Sequence, residues 1–335
     1  VTVLVTGSAG FIGAAVARRL LEDGERVVGV DNLNAYYDVS LKTARLTRLE
    51  AFDSYSHVTL DIADTAGVRS LFADHRPRAV INLAAQAGVR QGAIDPHPYV
   101  SSNVAGFLNI LEGCRHSGVE HLVYASTSSV YGADTTMPFS EHQGADHPLS
   151  LYAATKKANE MMAHSYAHLF GVPCTGLRFF TVYGPWGRPD MALFRFADAI
   201  TRGEPIPLYN SGRHRRSFTY IDDIVEGVVR VLRSPPSPNP DWNSAEPDPA
   251  TSSAPYRLLN IGSDHAEELL RYLEILEARL GMTAKRQELP LQPGDVRDTE
   301  ADVGELFRLV GHVPQVSIET GIARFVDWYR DYFKL

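Results

Sequence analysis

Short apolar runs recur along the chain, each about the length of a strand, with stretches of helical spacing between them. Val1-Thr2-Val3-Leu4-Val5 is the first, suited to a strand buried on both faces. Residues 12–22 follow the spacing of an amphipathic helix, and Gly24 ends it. A second strand is predicted over Arg26–Asp31, with further strands at 57–60, 79–83, 121–125 and Cys174–Phe179. Strands alternating with helices imply an α/β fold built on a doubly wound parallel sheet. The segment 234–255 breaks this rhythm. It is rich in Pro, Ser, Asp and Asn, cannot bury a core, and is expected to be a mobile surface excursion. A strand-like run, Leu258-Leu259-Asn260-Ile261-Gly262, resumes the pattern, and an amphipathic helix is predicted over Ile318–Phe333. Residues 1–180 are therefore expected to form the main sheet domain, and residues 181–335 mainly a smaller C-terminal α/β lobe for the substrate.

A length of 335 residues, 44% hydrophobic and 21% charged, fits an ordinary globular protein of this size. The net charge of −8 gives no general attraction to nucleic acid or to an anionic membrane. No apolar stretch reaches the roughly 20 residues of a membrane span. The chain enters a strand at once, without a basic leader, so a cytoplasmic location is expected. Cys114 and Cys174 have neither metal-ligand nor redox spacing and read as reduced core thiols; no metal site is expected.

Chemistry first shows in the turn after the opening strand, where Gly7, Gly10 and Gly13 repeat at every third position. Such glycines allow a tight strand-to-helix turn and let backbone approach a pyrophosphate, whose charge meets the helix N-terminus. Asp31 ends the second strand, 18 residues beyond Gly13, where a carboxylate accepts hydrogen bonds from ribose hydroxyls. Its charge repels a 2′-phosphate, so NAD is favoured over NADP. Asp61, after Val-Thr-Leu, stands where it either neighbours the adenine or simply ends a strand in solvent. These features make the sheet domain Rossmann-type. Downstream, Tyr152 and Lys156 lie four residues apart in Tyr-Ala-Ala-Thr-Lys. That spacing puts both on one helix face, where an ammonium can stabilise a phenolate and bring proton exchange toward neutrality.

Taken together, Thr6-Gly7-Ser8-Ala9-Gly10-Phe11-Ile12-Gly13, Asn82-Leu83-Ala84-Ala85, Tyr152-x-x-x-Lys156 and the run from Arg178 to Pro185 resemble the extended short-chain dehydrogenase/reductases that act on nucleotide sugars. The resemblance runs almost end to end and fails only at the Pro-rich insert. Within that group the run from Asp31 to Asp38, Leu41-Lys42, Ala85-Gln86-Ala87-Gly88-Val89-Arg90 and Gly187-Arg188-Pro189-Asp190-Met191-Ala192 are most similar to the UDP-glucuronate 4-epimerases. The resemblance implies Tyr152 as general base, Lys156 on the nicotinamide ribose, and Thr127 as the hydroxyl assisting proton transfer at the 4-position. Expected cofactor contacts, beyond the glycines and the two aspartates, are Phe11, Ile12, Asn32, Ile62, Leu83, Ala84 and Ala85. Arg216 corresponds to an arginine that binds the pyrophosphate, and relatives usually carry Asp where this chain has Ser217. Asp295 and Arg297 fall where the family closes the nucleotide pocket, although relatives usually have proline at the latter.

Relatives share hydride transfer from carbon 4 to NAD and then diverge. Dehydratases carry an Asp-Glu pair where this chain has Ser128-Ser129, since eliminating water needs a second acid and base. Decarboxylases carry Glu at the position of Ser129. Two neutral hydroxyls therefore favour epimerisation, with decarboxylation of UDP-glucuronate and epimerisation of UDP-glucose as alternatives. A silent NAD-binding protein would be expected to lack Tyr152 or Lys156. We expect Thr127, Ser128, Ser129 and Thr181 to hold the substrate carboxylate out of line with the 4-keto π system and so prevent loss of carbon dioxide; alternatively, the hydroxyls only cap local backbone. Arg90, Arg188, Arg213, Arg215 and Arg216 supply positive charge for a diphosphate and a carboxylate, with Arg188 and Arg216 expected in direct contact. The family usually dimerises through two helices per subunit, and residues 98–115 and 151–170 are the candidates for a homodimer.

Overall fold

The computed structural model describes residues 1–290 and 298–335. Its central sheet has seven strands: β1 (Thr2–Thr6), β2 (Arg26–Asp31), β3 (Tyr55–Thr59), β4 (Ala79–Asn82), β5 (His121–Thr127), β6 (Cys174–Phe179) and β7 (Tyr256–Ile261). They lie in the order β3-β2-β1-β4-β5-β6-β7, every neighbouring pair parallel. This is the doubly wound sheet that the apolar pattern predicts. β3 begins two residues before the expected run, because Tyr55 pairs with Val27 and its hydroxyl reaches Ser8 at 3.2 Å. Those partners are distant in sequence, so an apolar-run reading does not see them.

The longer helices among the described residues are α1 (Phe11–Glu22), α2 (Val39–Glu50), α3 (Thr65–His75), α4 (Phe107–Ser117), α5 (Leu151–Phe170), α6 (Ala192–Arg202), α7 (Ile221–Leu232), α8 (Leu269–Leu280), α9 (Gly304–Val310) and α10 (Ile318–Phe333). Side chains alternate across a sheet with a period of two, and here both faces are buried. Val3, Val5, Val123 and Leu177 pack with Val16 and Leu20 of α1 and Val228 of α7. Leu4, Val80 and Leu122 turn the other way, toward Leu71 of α3, Ile110 of α4 and Ala163 of α5.

Beyond residue 181 the chain alternates between this sheet and a smaller α/β region. Thr181–Tyr183 pairs in parallel with Phe218–Tyr220, and Pro205–Tyr209 with Lys285–Leu289. Aromatic contacts tie α8 to the strand Phe218–Tyr220 and α6 to α10: Phe218 stacks on Tyr272 at 4.3 Å, and Phe194 meets Tyr329 edge-on at 5.6 Å. α7 and β7 belong to the central layers, so position along the chain does not by itself sort residues between the two regions.

Residues 234–255, expected to be mobile, are held against the body. Asp248 bonds the His142 ring at 2.9 Å, Ser252 bonds His164 at 2.8 Å, and the Trp242 indole donates to the Asp248 carbonyl at 3.2 Å. The Leu258 amide donates to the Ala250 carbonyl at 2.8 Å, so the insert also covers the outer edge of β7. Its polar residues satisfy their own backbone in tight turns: the Asp241, Ala245 and Ala250 amides donate to the side chains of Asn239, Asn243 and Asp248. Composition alone cannot distinguish such turns from disorder.

A polar cluster is buried beside β7. Asn260 donates through its side chain to the Phe139 carbonyl at 2.8 Å and to Glu141 at 3.1 Å, and accepts from the Tyr131 hydroxyl at 2.7 Å. Burial raises the Glu141 carboxyl to about 7. An unfolded glutamate ionises near about 4.3, so between that value and about 7 the folded protein binds the extra proton. Stability from this group is thus lost as pH rises through the window. Glu141→Gln cannot ionise. Its stability relative to the parent is expected to improve by roughly 3 kcal/mol from about pH 4 to pH 8, read as a difference in Tm that grows with pH. A flat difference across that range contradicts the assignment.

Candidate active site and cofactor cleft

β1 and β4 are neighbours in the sheet, and their outgoing connections leave to opposite sides, which opens a crevice at their carboxyl ends. Thr6 locks the two ends together: its hydroxyl donates to Asn82 at 2.7 Å and accepts from the Ala84 amide at 3.1 Å. Gly7 follows at φ +72°, and a Cβ there would lie 2.8 Å from the Ala84 nitrogen. A Cβ on Gly13 would lie 2.0 Å from the Gly7 carbonyl oxygen. Side chains are excluded on both sides of the turn, which leaves bare backbone facing the crevice. Gly10 then stands at the N-cap of α1 and offers no side chain to it, so the positively polarised end is open to an anion.

Asp31, at the end of β2, is largely buried. Its carboxylate accepts from the Ala9 amide at 3.2 Å and the Leu33 amide at 2.8 Å. Lys42 of α2 reaches within 3.7 Å of it. Asp61 accepts from the Asn32 side chain at 3.0 Å and the Ala63 amide at 2.9 Å. This brings Asp31, Asn32, Asp61 and Ile62 to one wall of the crevice.

The opposite wall belongs to α5. Ser150 caps it by accepting from the Ala153 amide at 3.2 Å. Tyr152 and Lys156 follow on one face, with the Tyr99 ring packed edge-on against Tyr152 at 6.3 Å. Burial lowers the Lys156 ammonium to about 8, and the Glu160 carboxylate opposes that fall. Burial raises the Tyr152 phenol, while the Arg188 charge and the Thr127 hydroxyl pull it down. Arg188 therefore bears on Tyr152 from outside α5, an influence that helical spacing does not reveal. Thr127 ends β5 and accepts from the Ser129 amide at 3.2 Å, capping the short turn Ser128–Tyr131. Its hydroxyl thus has a backbone role as well as a place beside the phenol.

The cavity between these walls has a volume of about 1010 Å³. Thr127, Tyr152, Lys156, the three turn glycines, Phe11, Ile12, Asp31, Asn32, Asp61, Ile62 and Leu83 to Ala85 all line it. So do Arg90, Ser128, Ser129, Thr181, Arg188 and Arg216. Arg188 is held by Asp190 through two bonds, at 3.0 and 2.5 Å. The Arg90 guanidinium lies over the Tyr209 ring at 4.7 Å. Arg213 and Arg215 are exposed and do not reach the cavity. Ser217 is buried, accepts from the Ala301 amide at 3.2 Å and lies 3.5 Å from the Thr299 carbonyl. A hydroxyl can both donate and accept between those groups; a carboxylate can only accept. Asp295 and Arg297 lie outside the described residues. Lys42, Asp190, Tyr209 and His214 also line the cavity, and sequence reasoning gave them no role. For Lys42 and Asp190 a signal existed, since both stand in the strings that carry the family resemblance.

The model of the NAD dependent epimerase/dehydratase family matches residues 3–244. A probable UDP-glucuronate 4-epimerase of Rhizobium meliloti is 48% identical, covering 99% of this chain and 97% of its own. Protein CapI of Staphylococcus aureus is 51% identical over 99% of both chains. Among solved structures, UDP-glucuronic acid 4-epimerase from Bacillus cereus, in complex with UDP-glucuronic acid and NAD, superposes with a TM-score of 0.88 at 32% identity. That match covers 99% of this chain and 100% of the other. The bare turn, the uncapped helix end and Asp31 fit the dinucleotide. Gly13→Ala is expected to weaken NAD binding about 10- to 100-fold, since the added methyl must push the turn apart. Calorimetric titration with NAD measures this; unchanged affinity contradicts the assignment.

Proposed function

The chain belongs to the NAD dependent epimerase/dehydratase family, and from that premise we propose that it interconverts UDP-glucuronate and UDP-galacturonate as a 4-epimerase. The observation that carries this reading is one cavity joining the glycine turn, Tyr152 with Lys156, the neutral pair Ser128-Ser129 and a group of arginines. NAD, held by the glycine turn, Asp31 and Lys156, would supply the acceptor for the hydride of carbon 4 and its return to the opposite face of the sugar. Tyr152 takes the proton of the 4-hydroxyl and gives it back after the sugar has turned, with the Thr127 hydroxyl orienting the oxygen. Lys156 holds the nicotinamide ribose and adds positive charge beside the phenol. Arg188 contributes to lowering the phenol and, with Arg216 and Arg90, meets the anionic groups of the nucleotide sugar. Asp31 holds the adenosine ribose.

Ser128, Ser129 and Thr181 fit the carboxylate as a neutral clamp, with Thr127 beside them. These neutral hydroxyls bind it without the repulsion a glutamate would bring, and hold it away from the alignment that releases carbon dioxide. Incubation with UDP-glucuronate, without added NAD and followed by proton NMR, is expected to yield UDP-galacturonate with no net NADH. Ser128→Ala/Ser129→Ala is expected to raise the share of UDP-pentose. Pentose as the main product of the parent protein refutes epimerisation, and an unchanged product ratio in the variant refutes the clamp. Turnover of UDP-glucose alone moves the assignment to that sugar.

We also propose a homodimer formed by the segment 98–115 and α5. α4 packs beside α5, and Leu108, Met161 and Leu169 on these helices are exposed, as is Val100 in the stretch that leads into α4. Large apolar side chains grouped on adjacent helices suit a four-helix interface. Light scattering is expected to give twice the chain mass, falling to the monomer in Leu108→Asp/Met161→Asp; a monomeric parent protein refutes the dimer.

A further inference from the structure

Tyr152, Lys156 and Glu160 succeed one another at intervals of four on α5, on the face that meets the sheet. The proposed reaction uses the first two. Glu160 is fully buried, and its carboxylate collects donors from three elements. The Ser126 hydroxyl of β5 donates to it at 2.6 Å, and Arg178 of β6 donates twice at 2.9 Å. Lys157 of α5 approaches to 3.4 Å, with Asp146 4.0 Å beyond it. The phenols of Tyr124 on β5 and Tyr256 on β7 also feel the Glu160 charge. A carboxylate so deep, with this many donors, stays ionised.

We infer that Glu160 is a positioning residue that acts through Lys156, its buried carboxylate keeping the neighbouring ammonium charged while it ties α5 to the strand carrying Thr127. Ser126 immediately precedes Thr127, so one carboxylate fixes both the helix that presents Tyr152 and the strand that presents the hydroxyl beside it. Lys156 is 2% exposed. Burial in that place favours the neutral amine, and Glu160 is the charge that opposes it. Arg178 neutralises the far side of Glu160 and stacks over the Tyr131 ring at 4.8 Å, which joins the same anchor to the Ser128–Tyr131 turn. Arg188 faces Tyr152 from across the cavity and completes the charges around the pair.

The inference rests on the role proposed for Lys156, but its test does not require the substrate to be known. The chain has five lysines, Lys42, Lys156, Lys157, Lys285 and Lys334. Carbon-13 labelling of lysine therefore gives a spectrum simple enough to follow Lys156 through a pH titration, with Lys156→Met assigning the signal. Its midpoint is expected near the value of about 8 set by burial against Glu160. In Glu160→Gln the midpoint is expected to fall by about one pH unit. Turnover of UDP-glucuronate should then lose its alkaline limb at correspondingly lower pH, because the ammonium discharges earlier as pH rises. Glu160→Gln leaves Arg178 buried without a counter-charge, so Glu160→Gln/Arg178→Gln is measured beside it and is expected to shift in the same direction. A Lys156 midpoint that stays put in the folded variants overturns the inference, even if Tm and turnover fall, since that result describes a brace and nothing more. A shifted midpoint without turnover of UDP-glucuronate upholds the inference and places the error in the substrate.

Discussion

Every strand of the central sheet points the same way, and most of what this protein can do depends on that constraint. Parallel strands need helical crossovers, and crossovers bring all the carboxyl ends to one edge. That edge gathers the turn after β1, Asp31 after β2, Leu83 to Ala85 after β4, Thr127 at the end of β5 and Thr181 just beyond β6. No local feature of the chain would bring these together. The sheet does so because both its faces are apolar and must be covered, so the connections leaving β1 and β4 go to opposite sides and leave the crevice between them.

Within that frame, two groups of buried polar side chains stand out for the number of bonds they make, although other buried polar atoms, the Arg178 Nη1 among them, have no hydrogen-bond partner among the described residues. The Arg178–Glu160 pair has paired bonds and a third donor in Ser126, and Asn260 links Tyr131, Phe139 and Glu141. Replacing such pairs by apolar groups is often neutral or stabilising elsewhere, so their presence is weak evidence for stability. Their place is more informative: both lie behind the turn and helix that carry Thr127, Ser128, Ser129, Tyr152 and Lys156. These bonds fix that turn and that helix relative to one another.

The insert 234–255 shows the limit of composition as a guide. Pro, Ser, Asp and Asn suggest a chain with nothing to bury, yet Ala250, Ser252 and Ala254 are buried and the segment shields the last strand of the sheet. The bonds that hold it come from His142 and His164, which belong to distant parts of the sequence. Similarly, the smaller region beyond residue 181 gives up α7 and β7 to the central layers, a division that periodicity cannot assign because both regions use the same strand and helix patterns.

Much of the architecture could be read directly from the chain. Short continuous apolar runs, helical stretches with a period near 3.6 and glycines at every third position after the first strand are local properties, and they determined the strands, the α/β class and the cofactor turn. The four-residue interval of Tyr152 and Lys156 is equally local. What lies across a cavity is not. That the Arg188 charge bears on the Tyr152 phenol, that Lys42 stands beside Asp31, that Ser217 braces Thr299 and Ala301, and that Glu160 answers to β5 and β6 together were decided only by tertiary contact. Electrostatic influence follows distance through a low-dielectric interior, and distance between remote residues is set by how the layers pack.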